Sequence, residues 1–327
     1  MSKFTGCEQI IRNRSLVSLQ INLLNKCTSR CVYCRKYEWP NVSIDFTRLK
    51  EVLQYLKHNE GLQTVVFSGG DPLLYEHLVE LLSFCKNLGL KVSLITTLLT
   101  GNMEKLNAIA TYADRISVSM DAKNAEDYMK LRGVNGFDLA VKNIKYVNDI
   151  RNSLGLQVIR FSTTVSLANV TDMLAIYEIA KSTNSKINFY CVHTHDAYIL
   201  DDYDMFYSIG DEIAKLDVNH ISNASTLRNK SNEIKSKYCN ICKIHAVIDA
   251  TGDVYPCCHL LDDNGEYNEQ VKYSYGNINY EPYETVFDRR KNIKYSVQEC
   301  GGCVDRYKGL IDEINDILNS EDTYVWL

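Results

Sequence analysis

Proline is scarce in this chain, four in 327 residues. Proline breaks helices and strands from within, so its scarcity leaves long regular elements uninterrupted. Long hydrophobic runs are missing as well. The most apolar stretch, residues 88–99, is cut by Gly89 and Lys91. It falls far short of the roughly 20 residues that span a bilayer, which excludes a transmembrane helix. The N-terminal residues carry Glu8, Arg12 and Arg14 where a secretory signal would carry an apolar run. The expected location is therefore the cytoplasm, with no membrane partner. An excess of cations is missing too: 36 Lys and Arg against 41 Asp and Glu leave a formal charge of −5. Displacing phosphate counterions takes a surplus of Lys and Arg, so no nucleic-acid partner is expected.

What remains is the composition of a folded protein. Hydrophobic residues make up 45% and charged residues 24%, both ordinary for globular domains, which argues against a disordered chain. The length suggests about two domains and a core that needs no covalent staple. Cysteine is the exception, with twelve residues. In a cytoplasmic chain disulfides are rare, and clustered cysteines point to metal or catalysis. Cys27, Cys31 and Cys34 form one group, and six more fall between Cys239 and Cys303. Only Cys7, Cys85 and Cys191 stand alone.

Hydrophobic periodicity alternates between strand and helix over the first two thirds. Strand-like runs at 18–22, 64–68, 91–97, 115–120, 157–165 and 186–192 are each followed by a helical pattern or a loop leading to one. Six such units argue for an α/β protein with a parallel sheet and crossover helices, curved or closed into a barrel-like form. In that class the chemistry sits at the carboxyl ends of the strands. The loop with Cys27, the Gly69-Gly70-Asp71-Pro72 turn and Asp121 all fall on that edge. Residues 201–236 read as a polar, helical connector, and from about Tyr238 the βα alternation stops. The expected domains are therefore residues 1–200, a connector over 201–236, and a small α+β domain over 237–327.

Three thiolates on the short loop Cys27-x3-Cys31-x2-Cys34 suit an iron–sulfur cluster. A zinc site or plain free thiols are the other readings of the spacing alone. The string CTSRCVYC after a first strand resembles the signature of the radical S-adenosylmethionine (SAM) enzymes. The resemblance implies a partial (β/α)6 TIM-like barrel. It also implies a 4Fe–4S cluster on Cys27, Cys31 and Cys34, whose open iron binds SAM. Gly69, Gly70 and Asp71 correspond to the family's GGEP motif, with Asp in place of Glu. By the same resemblance Ser119 and Asp121 are candidate ribose contacts, Arg132 lies near the SAM carboxylate, and Tyr33 lies near adenine.

Cys242-x9-Gly252-x4-Cys257 followed by Cys300-x2-Cys303 resembles the SPASM/twitch domain attached to many radical SAM enzymes. A hairpin turned at Thr251-Gly252-Asp253 would bring Cys242 and Cys257 together, and the distant pair Cys300 and Cys303 would close the cage. The resemblance implies an auxiliary 4Fe–4S cluster, a single one because the later cysteine extension is lacking. Cys239 competes for one ligand position, and a structural zinc is the other reading of these pairs. Cys258 follows a ligand directly, so in an extended strand it points to the opposite face. In one group of related epimerases a cysteine so placed gives a hydrogen atom to the substrate radical, which makes Cys258 the candidate catalytic thiol. Cys191, His193 and His195 lie on or just after the sixth strand as further candidates.

The function implied is cleavage of SAM and hydrogen abstraction from an unactivated C–H bond. The leading expectation is maturation of a ribosomally synthesised peptide by epimerisation, oxidation or crosslinking. Few residues precede Ser18, so a leader-binding domain of the chain's own is not expected. An aminosugar or other small-molecule dehydrogenase or epimerase is the alternative. A non-enzymatic iron–sulfur electron carrier or sensor is a third, against which the Gly69 and Ser119 motifs count. The expected partners are a peptide or small-molecule substrate and an electron donor such as flavodoxin or ferredoxin.

Overall fold

Alternation fixes the strands. In Thr64–Ser68 and Arg160–Val165 every second side chain is buried, the pattern of a pleated sheet covered on one face. The computed structural model describes residues 15–34, 40–192, 200, 204–216, 221, 238–257, 274–292, 295–296 and 314. The chain forms two compact units, one of Asn22–Ser43 with Val66–Lys230, the other of Met1–Ile21, Ile44–Val65 and Ser231–Leu327.

The strands in chain order are β1 (Ser18–Asn22), β2 (Thr64–Ser68), β3 (Lys91–Thr96), β4 (Arg115–Ser119), β5 (Arg160–Val165) and β6 (Lys186–Cys191). The helices between and after them are α1 (Phe46–Asn59), α2 (Leu78–Asn87), α3 (Met103–Tyr112), α4 (Ala125–Arg132), α5 (Phe137–Ser153), α6 (Met173–Ser182) and α7 (Asp204–Leu216). This is the α/β order expected from the sequence.

In the first unit β3, β4, β5 and β6 pair in parallel, Leu94 beside Ile116 and Phe161 beside Ile187. One face of this ladder is apolar and buried, through Leu94, Ile116, Phe161 and Ile187. The other carries Ser119, Ser162 and Asn188 side by side across three strands. The strand pleat sets Cys191 with Ile187 and Phe189 on the apolar face. Its thiol is thus opposite the face that carries Ser119.

Helix α4 is an addition to the elements predicted from periodicity. Its sequence, AEDYMKLR, buries only Tyr128, Leu131 and Arg132, too narrow a stripe to stand out. Its ends are marked chemically instead. Asn124 accepts a hydrogen bond from Asp127 N at 2.8 Å, and Gly133 closes the helix at φ +64°, a left-handed conformation that suits glycine.

The second unit is built on β1, α1 and a C-terminal group of short strands. These are β7 (Tyr238–Cys239), β8 (His245–Ile248), β9 (Asp253–Tyr255), β10 (Gly276–Asn277) and β11 (Tyr295–Ser296). β8 lies parallel to β1, Leu19 beside Ala246, and turns back antiparallel into β9. Gly252 in that turn has φ +90°, and a Cβ there would lie 2.5 Å from the Asn279 side chain. Helix α8 (Tyr283–Asn292) follows β10. Its Arg290 is fully buried and donates to Lys243 O and to the Glu60 carboxylate. Ile314 is helical and buried. Among the described residues no helix is long and apolar enough to cross a membrane.

Candidate cofactor site

The loop with the three thiols leaves β1 and is held from two sides. On one side, Gly70 N donates to Leu24 O at 2.6 Å and Asp71 N to Lys26 O at 3.0 Å. The Gly69-Gly70 turn therefore presses on the backbone just ahead of Cys27. A Cβ on Gly69 would lie 2.4 Å from Leu24 O, and one on Gly70 2.0 Å from Lys26 O. Gly69 also has φ +126°. Both positions are closed to any side chain. On the other side, Arg30 N donates to Arg132 O at 2.7 Å and Val32 N to Leu131 O at 3.0 Å. The last carbonyls of α4, which have no partner within their own helix, are thus taken up by the cysteine loop. A Cβ on Gly133 would lie 2.8 Å from Arg30 O. We expect Gly70→Ala to cost about 1–3 kcal/mol through this overlap. The checking measurement is iron bound per chain, which should fall while the far-ultraviolet circular dichroism of the fold is retained.

Asp71 is almost fully buried, and its carboxylate is taken up by protein donors. Oδ1 accepts from Leu73 N at 3.0 Å and from Thr96 Oγ1 at 2.7 Å, and Oδ2 accepts from Thr97 N at 3.0 Å and from Thr97 Oγ1. The aspartate therefore braces the glycine turn against the end of β3. Thr96 and Thr97 went unread in the sequence, although their place at a strand's carboxyl end marks the functional edge.

Cys27, Cys31 and Cys34 are half-buried and free of disulfides. Burial pushes the Cys31 thiol up to about 11, with Arg132 pulling it down and Asp121 and the other two thiols pushing it up. Burial also raises Cys27, against a hydrogen bond that its sulfur accepts from Ser29 N at 3.4 Å. Binding iron must then displace protons from these sulfurs. Among the described residues no three metal-binding side chains converge on the position of a single ion. A four-iron cluster asks for a different arrangement, one thiolate per iron, and three neighbouring thiols on one turn fit it.

Arg132 and Asp121 lie behind the loop, both buried. Arg132 Nη1 donates to Cys31 Sγ at 3.5 Å, and Nη2 is paired with Asp121 Oδ2. The Tyr33 hydroxyl donates to the same carboxylate oxygen. Burial and the Asp121 charge hold the Tyr33 phenol well above its ordinary range. Asp121 Oδ1 accepts from Thr164 N at 2.7 Å. Four sequence-singled residues, Tyr33, Cys31, Asp121 and Arg132, thus meet in one network. Ser119 lies half-buried at the end of β4, outside that network.

In the second unit Cys242 is buried in the turn Ile241–Lys243 just before β8, and Cys257 is half-buried two residues after β9. Both lie at the open end of the hairpin, away from Gly252. Cys242 Sγ donates to Cys239 O at 3.6 Å. Burial pushes Cys242 up to about 11, against a hydrogen bond with Tyr275 and the charges of Lys243 and Arg290. Cys258, Cys300, Cys303, His193 and His195 lie outside the described residues.

A parallel α/β sheet thus carries, at its carboxyl edge, a loop of three thiols braced by glycines. Residues 21–172 match the model of the radical SAM superfamily, and residues 239–304 match SPASM, an iron–sulfur cluster-binding domain. The chain carries a radical SAM domain and, on its C-terminal side, a SPASM domain, so its cofactors are SAM and 4Fe–4S clusters. A "Probable GTP 3',8-cyclase" of Saccharolobus islandicus is 29% identical over 174 residues, 52% of this chain and 54% of that one. An "AdoMet-dependent heme synthase" of Methanosarcina barkeri is 30% identical over 161 residues, 47% and 44% of the two chains. The chain thus spans about half the length of the curated relatives it matches. Streptococcus suis SuiB bound to S-adenosylmethionine shares the fold at TM-score 0.64 and 17% identity, over 85% of this chain and 67% of that one. The anSMEcpe protein with bound AdoMet does so at 0.63 and 18%, over 84% and 81%.

Proposed function

We propose that this enzyme cleaves SAM reductively and abstracts a hydrogen atom from an unactivated C–H bond of a peptide, as a step in the maturation of a ribosomally made precursor. The observation that carries the peptide reading is the polar face of the first unit's sheet. Ser119, Ser162 and Asn188 stand in register across β4, β5 and β6, with Thr164 and Tyr190 in the next row. Hydroxyls and amides suit the N–H and C=O groups of a polypeptide backbone. Support comes also from proteins of the same fold, SuiB bound to the precursor peptide SuiA and anSMEcpe with the Kp18Cys peptide.

In this reading Cys27, Cys31 and Cys34 hold the SAM-binding cluster, and Cys242, Cys257, Cys300 and Cys303 hold the auxiliary one. When bound, the cluster and SAM supply the one-electron cleavage that yields a carbon radical able to take hydrogen from substrate. The chain's own residues do the rest. Gly69 and Gly70 offer side-chain-free backbone beside the thiol loop, and Asp71 keeps that backbone in place. Ser119 presents a hydroxyl for a ribose or for substrate. Arg132 and Asp121 hold charge behind Cys31. A flavodoxin or ferredoxin delivers the electron, and Cys258 returns a hydrogen atom if the product is an epimer.

The test is turnover of the reduced, iron-loaded enzyme with SAM in deuterated water, with short peptides encoded beside its gene as substrates. The expected result is 5′-deoxyadenosine above the substrate-free background and an altered peptide. Deuterium at an inverted carbon, lost in Cys258→Ala, identifies epimerisation. A peptide two mass units lighter, unaffected by that change, identifies oxidation. Stimulation by aminosugars and by no peptide would remove the peptide reading.

A further inference from the structure

We infer that the buried Arg132–Asp121 pair sets the reduction potential of the SAM-binding cluster through Cys31, which makes Arg132 a positioning residue for electron entry. This rests on the reading that Cys31 ligates that cluster.

The geometry separates Arg132 from an ordinary surface arginine. It occupies the last position of α4, and its side chain is folded inward with about 6% of its surface exposed. One guanidinium nitrogen, Nη1, points at Cys31 Sγ at 3.5 Å, and the other, Nη2, is locked on Asp121. The same residue's carbonyl takes Arg30 N from the cysteine loop. Loop and guanidinium therefore move together, and the donor keeps its aim at the sulfur. Asp121 is fixed in turn by Thr164 N on its side chain and by Asn169 Nδ2 on its carbonyl at 2.8 Å. Tyr33 adds a third donor to that carboxylate.

Electron entry is a simple step in balance. One electron passes from an external one-electron donor to the site, and one negative charge is added with no bond made or broken. In a buried site that charge is stabilised by a nearby cation and by hydrogen bonds to the ligand sulfur. Arg132 supplies both. Asp121 opposes it, because the carboxylate offsets part of the guanidinium's charge. The two members of the pair therefore push the potential in opposite directions, although each is equally part of the packing.

That opposition is the test. Reconstituted wild type, Arg132→Gln, Arg132→Lys and Asp121→Asn are titrated with dithionite, and the reduced four-iron signal that changes on addition of SAM is followed by electron paramagnetic resonance, apart from that of the auxiliary cluster. Arg132→Gln should shift the midpoint to more negative potential, lowering the reduced-to-oxidised ratio about tenfold at a fixed ambient potential, the size expected of one hydrogen bond from a charged donor. Asp121→Asn should shift it the other way, and Arg132→Lys should fall between wild type and Arg132→Gln. Equal potentials in all four proteins, or shifts of the same sign in Arg132→Gln and Asp121→Asn, would overturn the inference, because packing damage has no reason to reverse sign. If Arg132→Gln loads no iron, the opposite signs of Arg132→Lys and Asp121→Asn decide in its place. Failure of the underlying reading looks different: a Cys31→Ala variant that keeps the iron content of wild type and the four-iron signal that SAM perturbs would remove the cluster from this loop, and the inference with it.

Discussion

Changing Cys27, Cys31 and Cys34 together to alanine should cut the iron content of anaerobically reconstituted protein from about eight atoms per chain to about four, the loss of one four-iron cluster of two. Formation of 5′-deoxyadenosine from SAM should vanish, not merely slow. The reason lies in the division of labour between the two cysteine groups. SAM needs an iron that no thiolate occupies, and a three-thiol loop leaves one. The hairpin cysteines Cys242 and Cys257, with the pair Cys300 and Cys303, offer four thiolates and leave none. The remaining iron in the triple variant should therefore be spectroscopically intact and unable to cleave SAM. The structure adds that backbone hydrogen bonds tie the loop to Gly70, Asp71 and α4, so the variant should stay folded. Retained 5′-deoxyadenosine would remove Cys27, Cys31 and Cys34 as the SAM-binding ligands. A content near four in wild type would remove the second cluster.

The second large effect concerns stability. Glu60 ends α1 and is buried, with its carboxylate on Arg290 and on Lys291 Nζ, the latter at 2.9 Å. Arg290 is itself fully buried on α8. Taking away one partner of a buried ion pair leaves the other charged, desolvated and unmatched, at a cost of about 3–5 kcal/mol. Glu60→Ala should lower unfolding free energy by that amount, measured in urea with the m-value checked. The double variant Glu60→Ala/Arg290→Met should recover part of the loss, since no orphaned cation remains. A single variant within about 0.5 kcal/mol of wild type would show that water or another anion compensates the guanidinium.

Much of the βα alternation is legible in the sequence because its signals are local. Strands β1 and β2 were read to the residue from short apolar alternation, and the motif loops from glycine and cysteine spacing. Helix α4 was not, because eight residues with a thin apolar stripe look like a charged loop. Only the resemblance places Arg132 near the SAM carboxylate; its burial against Asp121 and Cys31 is not legible in the sequence. Asp71 shows a different limit. Its place in the motif was plain, but that its carboxylate is consumed by Thr96 and Thr97 depends on β3 arriving beside the glycine turn. The Glu60–Arg290 pair joins residues 230 positions apart, and nothing in a single sequence couples them. Cys258, Cys300 and Cys303 remain sequence-based assignments.

The ties on either flank of the thiol loop have a consequence for how the enzyme ages. In small zinc modules the metal orders the chain, and a stripped chain unfolds. Here the loop hangs on two α4 carbonyls and a double-glycine turn, so its shape belongs to the polypeptide. A cluster bound here could then be lost and rebuilt without refolding, since the empty loop keeps its shape.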